Sequence, residues 1–258
     1  MRIEAADAPR LPPHQRGWWG GLVEVPGGGF RLRGWASGRV IAGVTDRSLD
    51  VAQFLRALHP AASAVEAEQV HGASLAVIAH PVTTRVAGGT GPGPAARPPV
   101  PGCDALLTHV AGAALLVRTA DCLPVFFAEP RRGVVGLAHV GWRGLAASLP
   151  ARMVAAFRHV YHVPAEALCV AIGPAIRACC YEVGPEFAQR FGPFVRERGG
   201  RLTCDLVGAA CEELVRCGVR PDRVADTGAC TACDVQRWFS LRQEGPSTGR
   251  LTSVIMVR

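Results

Sequence analysis

The sequence contains no lysine: all 28 of its basic residues are arginine. Together with 30 glycines and 20 prolines, this reads as codon bias. Charged residues of either sign make up only 19% of the chain and apolar residues 49%, a balance that excludes a disordered protein. No apolar run reaches the length of a membrane span. The first residues are acidic and proline-rich, unlike a signal peptide, so the expected location is the cytoplasm. A formal net charge of +7 would suit nucleic acid, yet no run of arginines is longer than two and no nucleic-acid motif is present. The expected partner is therefore a small anionic molecule, with neither nucleic acid nor membrane involved.

What is present is enough chain, 258 residues, for one substantial core, and ten cysteines. So long and apolar a chain has no need of disulfide staples, and the adjacent Cys179 and Cys180 are badly placed to bond to each other. Mostly free thiols in a reducing compartment are expected.

Along the chain, residues 1–38 read as short strands and loops, "VIAGVTDRS" (40–48) as a strand entering a polar turn, and "LDVAQFLRAL" (49–58) as a helix. "SLAVIAH" (74–80) has strand character, and residues 87–102 have the composition of a loop. Four apolar runs follow, "DALLTHV", "AALLVRT", "LPVFFAE" and "GVVGLAHV", each with the length and composition of a buried strand. "EPRRG" (129–133) is a hairpin turn between the last two. A helix is predicted from Gly144 to about His159, starting late or kinking at Pro150. A strand over "ALCVAIGP", a helix over 205–218 stopped by Gly218, and a closing strand "LTSVIMVR" complete the pattern. Strands outnumber helices and their order is mixed, which predicts one α+β domain over residues 1–258.

Three segments place a metal-type ligand at a strand edge: "EQVHG" with His71, "TADCLPV" with Cys122 and "LAHVGWRG" with His139. Two imidazoles and a thiolate suit Zn²⁺, and three protein ligands leave a fourth position open, the catalytic arrangement. Spacings of 51 (71 to 122) and 17 (122 to 139) match no compact zinc motif, so a buried thiol and isolated core histidines are the plain alternative.

The ordered series "EQVHG", "DALLT", "TADCLPV", "AHVGWRGL", "IGPAI..CCYEVG", "GACT" and "FSLRQEG...GRL" resembles the laccase-domain family over residues 65–258. Its members have been described as multicopper polyphenol oxidase-like proteins, purine nucleoside phosphorylases and peptidoglycan editing factors. The resemblance implies a single domain of mixed sheets flanked by helices, similar to Cys-His toxin deamidases, with His71, Cys122 and His139 as metal ligands. The chain departs from the family pattern before His71: "GVTDRS" keeps Thr45 and Arg47, but the glycine-serine loop that usually follows is missing. Residues 88–101 are longer than usual, and Leu241 stands where the family often has Tyr.

Other residues could complete the chemistry. Arg143 is expected at a helix N-terminus as an anion site, with Gly141 and Gly144 letting the backbone turn sharply beside it. Arg47 is a second candidate for phosphate, unless either arginine makes only a surface ion pair. Asp104 and Asp121 could orient a ligand histidine or move protons, and Glu182 is a further acid-base candidate. "CTAC" (230–233) has CxxC spacing without a second CxxC or a thioredoxin-like context, and reads as structural, apart from the catalytic metal.

The leading expectation is a zinc enzyme of purine nucleosides, phosphorolytic and with adenosine deamination as a further activity, with copper as a substitute metal. A Cys-His hydrolase with Cys122 as nucleophile, suited to editing a cell-wall precursor, is the first alternative. Copper-dependent phenol oxidation ranks lower, because eight histidines spread thinly cannot supply several copper centres. A non-enzymatic zinc-binding module is the last alternative. Oligomeric state is not legible.

Overall fold

The computed structural model describes residues 21–258 apart from 26–27, 37 and 81–97. Residues 1–20, and most of the loop predicted over 87–102, lie outside the described residues.

The first part of the chain forms β1 (Gly21–Glu24), β2 (Phe30–Arg33), β3 (Val40–Val44), α1 (Val51–Leu58), β4 (Ser63–Glu66) and β5 (Leu75–Ile78). The central part forms β6 (Ala105–Thr108), β7 (Ala113–Thr119), β8 (Leu123–Glu129) and β9 (Val134–Val140), then α2 (Trp142–Ala146), α3 (Leu149–Tyr161) and β10 (Cys169–Ile172). The last part forms α4 (Glu186–Phe191), β11 (Val195–Arg198), β12 (Arg201–Cys204), α5 (Leu206–Arg216), β13 (Val224–Asp226), α6 (Leu241–Glu244) and β14 (Leu251–Val257).

Two six-stranded mixed sheets result, ordered β1-β2-β3-β14-β7-β4 and β13-β10-β8-β9-β6-β5, with β11 and β12 as a separate ribbon. Alternate residues of one strand feed different cores, which explains the continuous apolar runs. In β8, Val125 and Phe127 pack with α3 and α5, while Phe126 and Ala128 point at the other sheet. In β14, Ile255 and Val257 face the second sheet, while Val254 and Met256 pack with Phe54 and Leu58 of α1. The layers are thus helix, sheet, sheet, helices. A strand covered on both faces has no solvent side on which polar residues would alternate. The fold class is α+β, as the run of elements predicted.

Local signals account for the element ends. Asp50 caps α1 by accepting from the N–H groups of Ala52 and Gln53, and Asp205 caps α5 by accepting from Gly208. Gly218, just past α5, takes a φ of 94°. The 129–133 turn forms as predicted, with the Glu129 carboxylate accepting from the N–H groups of Arg131 and Arg132. The helix predicted from 144 to 159 is two helices. Ser148 adopts left-handed backbone with φ 57°, and Pro150 lies in the first turn of α3, where its missing N–H costs nothing.

Candidate metal centre

His139, next to the last residue of β9, is buried, and its N–H is tied to the Asp104 carbonyl at 2.7 Å. Cys122 stands at the start of β8, in register with the same end of β9, because Leu123 pairs with Val140 and Pro124 with His139. His71 arrives on the loop between β4 and β5, where both Gln69 and His71 have left-handed backbone, φ 64° and 59°. Such conformations persist where surrounding bonds impose them. Gln69 supplies some: its amide donates to the Arg118 carbonyl at 2.6 Å and accepts from the Arg118 N–H at 2.7 Å, fastening the loop to β7.

Asp104 supplies the rest. Its buried carboxylate accepts from the N–H groups of His71 (2.9 Å) and Gly72 (2.7 Å), and it lies 2.9 Å from Nδ1 of His139. One side chain therefore orients one candidate ligand directly and the other through its backbone. With Nδ1 engaged, His139 directs Nε2 at the pocket.

The ligand atoms of His71, Cys122 and His139 all lie within 4.8 Å of one another, with the two imidazole rings edge to face at 4.8 Å. The backbone beside them is close. A Cβ on Gly141 would stand 3.1 Å from the Cys122 sulfur and 3.6 Å from the His71 ring, and one on Gly144 would stand 2.9 Å from the Gly72 carbonyl oxygen. Gly141 is extended, with φ −80°, so it is needed for this closeness and not for the sharp turn that the sequence predicted.

Burial pushes the Cys122 thiol up, but the imidazoles of His139 and His71 at its sulfur outweigh that and draw it down to about 7. Burial also disfavours a charged His139. Asp104 on one nitrogen and Cys122 on the other outweigh it and raise the imidazole to about 9. Burial likewise opposes ionisation of Asp104, and its bonds from His139, Gly72 and His71 overcome it, so the carboxyl lies below the usual aspartate value. Two imidazoles and a thiolate, pre-oriented and converging, form a donor set that fits zinc or copper.

The remaining predicted residues are placed differently. Arg143 sits in the first turn of α2, exposed, with its guanidinium 4.4 Å from the Trp142 ring centre and no acidic partner among the described residues. Because α2 has only five residues, the helix terminus adds little to that charge. Arg47 is engaged through one guanidinium nitrogen, Nη1. It forms an ion pair with Glu244 at 2.7 Å, donates to the Val235 and Trp238 carbonyls, and covers Phe239. Asp121, with φ 90°, is buried and accepts from the hydroxyls of Thr231 (2.7 Å) and Ser240 (2.8 Å) and the Arg242 N–H (2.7 Å). Those bonds anchor the C-terminal segments to its carboxylate. Glu182 is an exposed charge 3.4 Å from Arg201.

Sequence reasoning missed Gln69, Thr231 and Ser240 as the groups that fasten the site; the motifs containing them were visible, their partners were not. It also missed that Cys179 and Cys180 meet Cys230 and Cys233, four sulfurs within 4.8 Å of one another. None of the ten cysteines is in a disulfide.

Comparison with known proteins places this arrangement among relatives. The family model described as multi-copper polyphenol oxidoreductase laccase matches residues 27–258. The chain is 36% identical over 197 residues to purine nucleoside phosphorylase YlmD of Geobacillus stearothermophilus, covering 73% of this chain and 70% of that protein. It is 31% identical over 158 residues to adenosine deaminase RL5 from an unknown prokaryotic organism, covering 58% of this chain and 60% of that protein. The crystal structure of YlmD from Geobacillus stearothermophilus superposes with a TM-score of 0.75 at 30% identity, over 88% of this chain and 96% of that one. With the family model covering every strand after β1 and every residue of the His71, Cys122 and His139 group, the chain belongs to the multi-copper polyphenol oxidoreductase laccase family.

Proposed function

We propose that the protein is a zinc-dependent enzyme of purine nucleosides, cleaving adenosine- and inosine-type nucleosides with phosphate and deaminating adenosine. The observation that carries this reading is the convergence of His71, Cys122 and His139 within 4.8 Å under the control of one buried carboxylate, Asp104. It is supported by relatives named for these two activities. His71, Cys122 and His139 would hold the ion, with copper as a substitute. When bound there, zinc supplies a Lewis acid and an activated water at neutral pH.

The chain's own residues do the rest. Asp104 keeps the proton of His139 on Nδ1, so that Nε2 presents its lone pair. Arg143, free of acidic partners among the described residues and lying on Trp142, is assigned to the phosphate or another anionic group of the substrate. Asp121, Arg47 and Glu182 are assigned no step on the reacting atoms, since the first two are engaged in holding the C-terminal segments and the third is an exposed charge paired with Arg201.

The test is a metal analysis of protein purified without added metal, alongside phosphate-dependent release of hypoxanthine from inosine and ammonia release from adenosine. Metal-replete protein inactive in both assays would overturn the reading.

A second reading is favoured by one observation: Cys122, His139 and Asp104 stand in line as nucleophile, base and orienting acid. A Cys-His hydrolase of that kind, suited to trimming a cell-wall precursor, would keep its activity after chelation; the nucleoside enzyme would lose it. We place the protein in a reducing cytoplasm, with the unbonded state of all ten cysteines in support. No helix among the described residues is long and apolar enough to cross a membrane.

A further inference from the structure

Four of the cysteines outside the His71 group, Cys179, Cys180, Cys230 and Cys233, lie together and have no part in the chemistry above. Cys179 and Cys180 lie in the turn after β10, and Cys230 and Cys233 in the turn after β13. The two turns are joined by backbone. The Ala175 N–H donates to the Ala229 carbonyl at 3.2 Å, the Thr231 N–H donates to the Ala175 carbonyl at 3.1 Å, and the Arg177 guanidinium bonds both Asp226 and the Ala229 carbonyl. The N–H groups of Cys180 and Tyr181 both donate to the Arg177 carbonyl at 2.8 Å, so the chain doubles back and turns two adjacent thiols to one side.

The resulting sulfur spacings are diagnostic. Cys179 is 3.6 Å from Cys230 and 3.5 Å from Cys233, and Cys180 is 3.3 Å from Cys233. A disulfide requires about 2.0 Å between sulfurs. Four thiolates about 2.3 Å from a central zinc occupy the corners of a tetrahedron with edges of about 3.8 Å. The observed set is close to the second figure and far from the first.

We propose that Cys179, Cys180, Cys230 and Cys233 form a second, structural metal site that binds one Zn²⁺ through four sulfurs. Binding releases the four thiol protons to solvent and leaves a tetrathiolate with a net charge of −2; no electron is transferred. Four protein ligands close the coordination sphere, which distinguishes this site from the three-ligand centre at His71. Its position gives it a mechanical effect. Thr231, between Cys230 and Cys233, donates its hydroxyl to Asp121, the residue before Cys122. An ion clamping the 230–233 turn therefore steadies the start of β8.

The proposal does not depend on the nucleoside reading, and its test separates the two sites. A His71→Ala/His139→Ala chain, purified reduced and equilibrated with zinc, is expected to keep about one zinc per chain, with a sulfur-only shell at about 2.3 Å by X-ray absorption. Adding Cys179→Ser/Cys233→Ser should remove it. In the wild-type protein, iodoacetamide labelling of these four cysteines, mapped by mass spectrometry, should be slow with zinc and at least tenfold faster after chelation. That measurement decides the matter if the serine variant does not fold. A zinc-free His71→Ala/His139→Ala chain, labelling that ignores zinc, or a disulfide among the four that excludes zinc from the reduced and reoxidised protein would each overturn the proposal.

Discussion

Asp104 and His71 are joined through backbone while Asp104 and His139 are joined through side chains, so a single carboxylate sets the positions of two candidate ligands. Asp104→Ala should leave the N–H groups of His71 and Gly72 without their buried acceptor, at a cost of about 1–3 kcal/mol each at most. Asp104→Asn should keep more of the fold yet weaken zinc binding by about 10–100-fold, because the amide is a poorer acceptor for His139 Nδ1. Competition titration with a chromophoric chelator, beside thermal melting, reads both. Asn and wild type binding zinc equally would remove the orienting role.

His139 and Arg143 should differ in kind when removed. His139→Ala is expected to lose zinc from the His71 group and nearly all activity. Arg143→Ala should retain zinc and lose phosphorolysis by about 10²–10³-fold, with deamination less affected because it needs no phosphate. Parallel assays on both variants check this; equal loss of both activities in a zinc-replete Arg143→Ala protein would show that the arginine is not a dedicated phosphate contact.

Metal-free protein should expose the electrostatics of the trio. The Cys122 thiol lies at about 7 and His139 at about 9, so between these values the pair is a thiolate beside an imidazolium. Alkylation of Cys122 should rise with pH around a midpoint near 7. His71→Ala removes one of the groups stabilising the thiolate and should move that midpoint upward. The linkage has a definite sign. The raised His139 contributes stability that is fully present below the unfolded histidine value of about 6.5 and lost as pH rises through about 9. A midpoint unchanged by His71→Ala would contradict the assignment.

Arg47→Ala should behave as a stability mutation. It strands Glu244 and frees the segment around Trp238 and Phe239. We expect a lower melting temperature with an unchanged KM for phosphate. A selective rise in that KM at unchanged stability would restore Arg47 to the substrate site.

The strands β6 to β9 were legible because burial on both faces leaves apolar runs with no competing pattern, and turn residues such as those at 129–133 mark their ends. The candidate ligands were legible only through their motifs: nothing in spacings of 51 (71 to 122) and 17 (122 to 139) says that two strand ends and a loop meet. The double role of Pro150, as breaker of one predicted helix and starter of another, depended on the left-handed Ser148 that precedes it. The ion pair that stood as the alternative for Arg47 could not be assigned a partner from the sequence, because Glu244 lies 197 residues away. The cysteine tetrad stayed hidden because a Cys-Cys pair and a lone CxxC become one group only through the bridge between Ala175 and Cys230.

The place of β14 has a consequence for how the protein is made. It pairs with β3 on one side and β7 on the other, yet it begins 207 residues after the first (44 to 251) and 132 after the second (119 to 251). While the polypeptide is still emerging from the ribosome, both of those strands present an uncapped apolar edge, and neither half of the first sheet can close. The C-terminal segments that tether Asp121 arrive at nearly the same moment. Completion of the sheet and of the Asp121 anchor therefore both wait on residues translated well after His71, Cys122 and His139. A nascent chain stopped short of Leu251 would be a sticky species with its ligands already translated and no pocket to hold them.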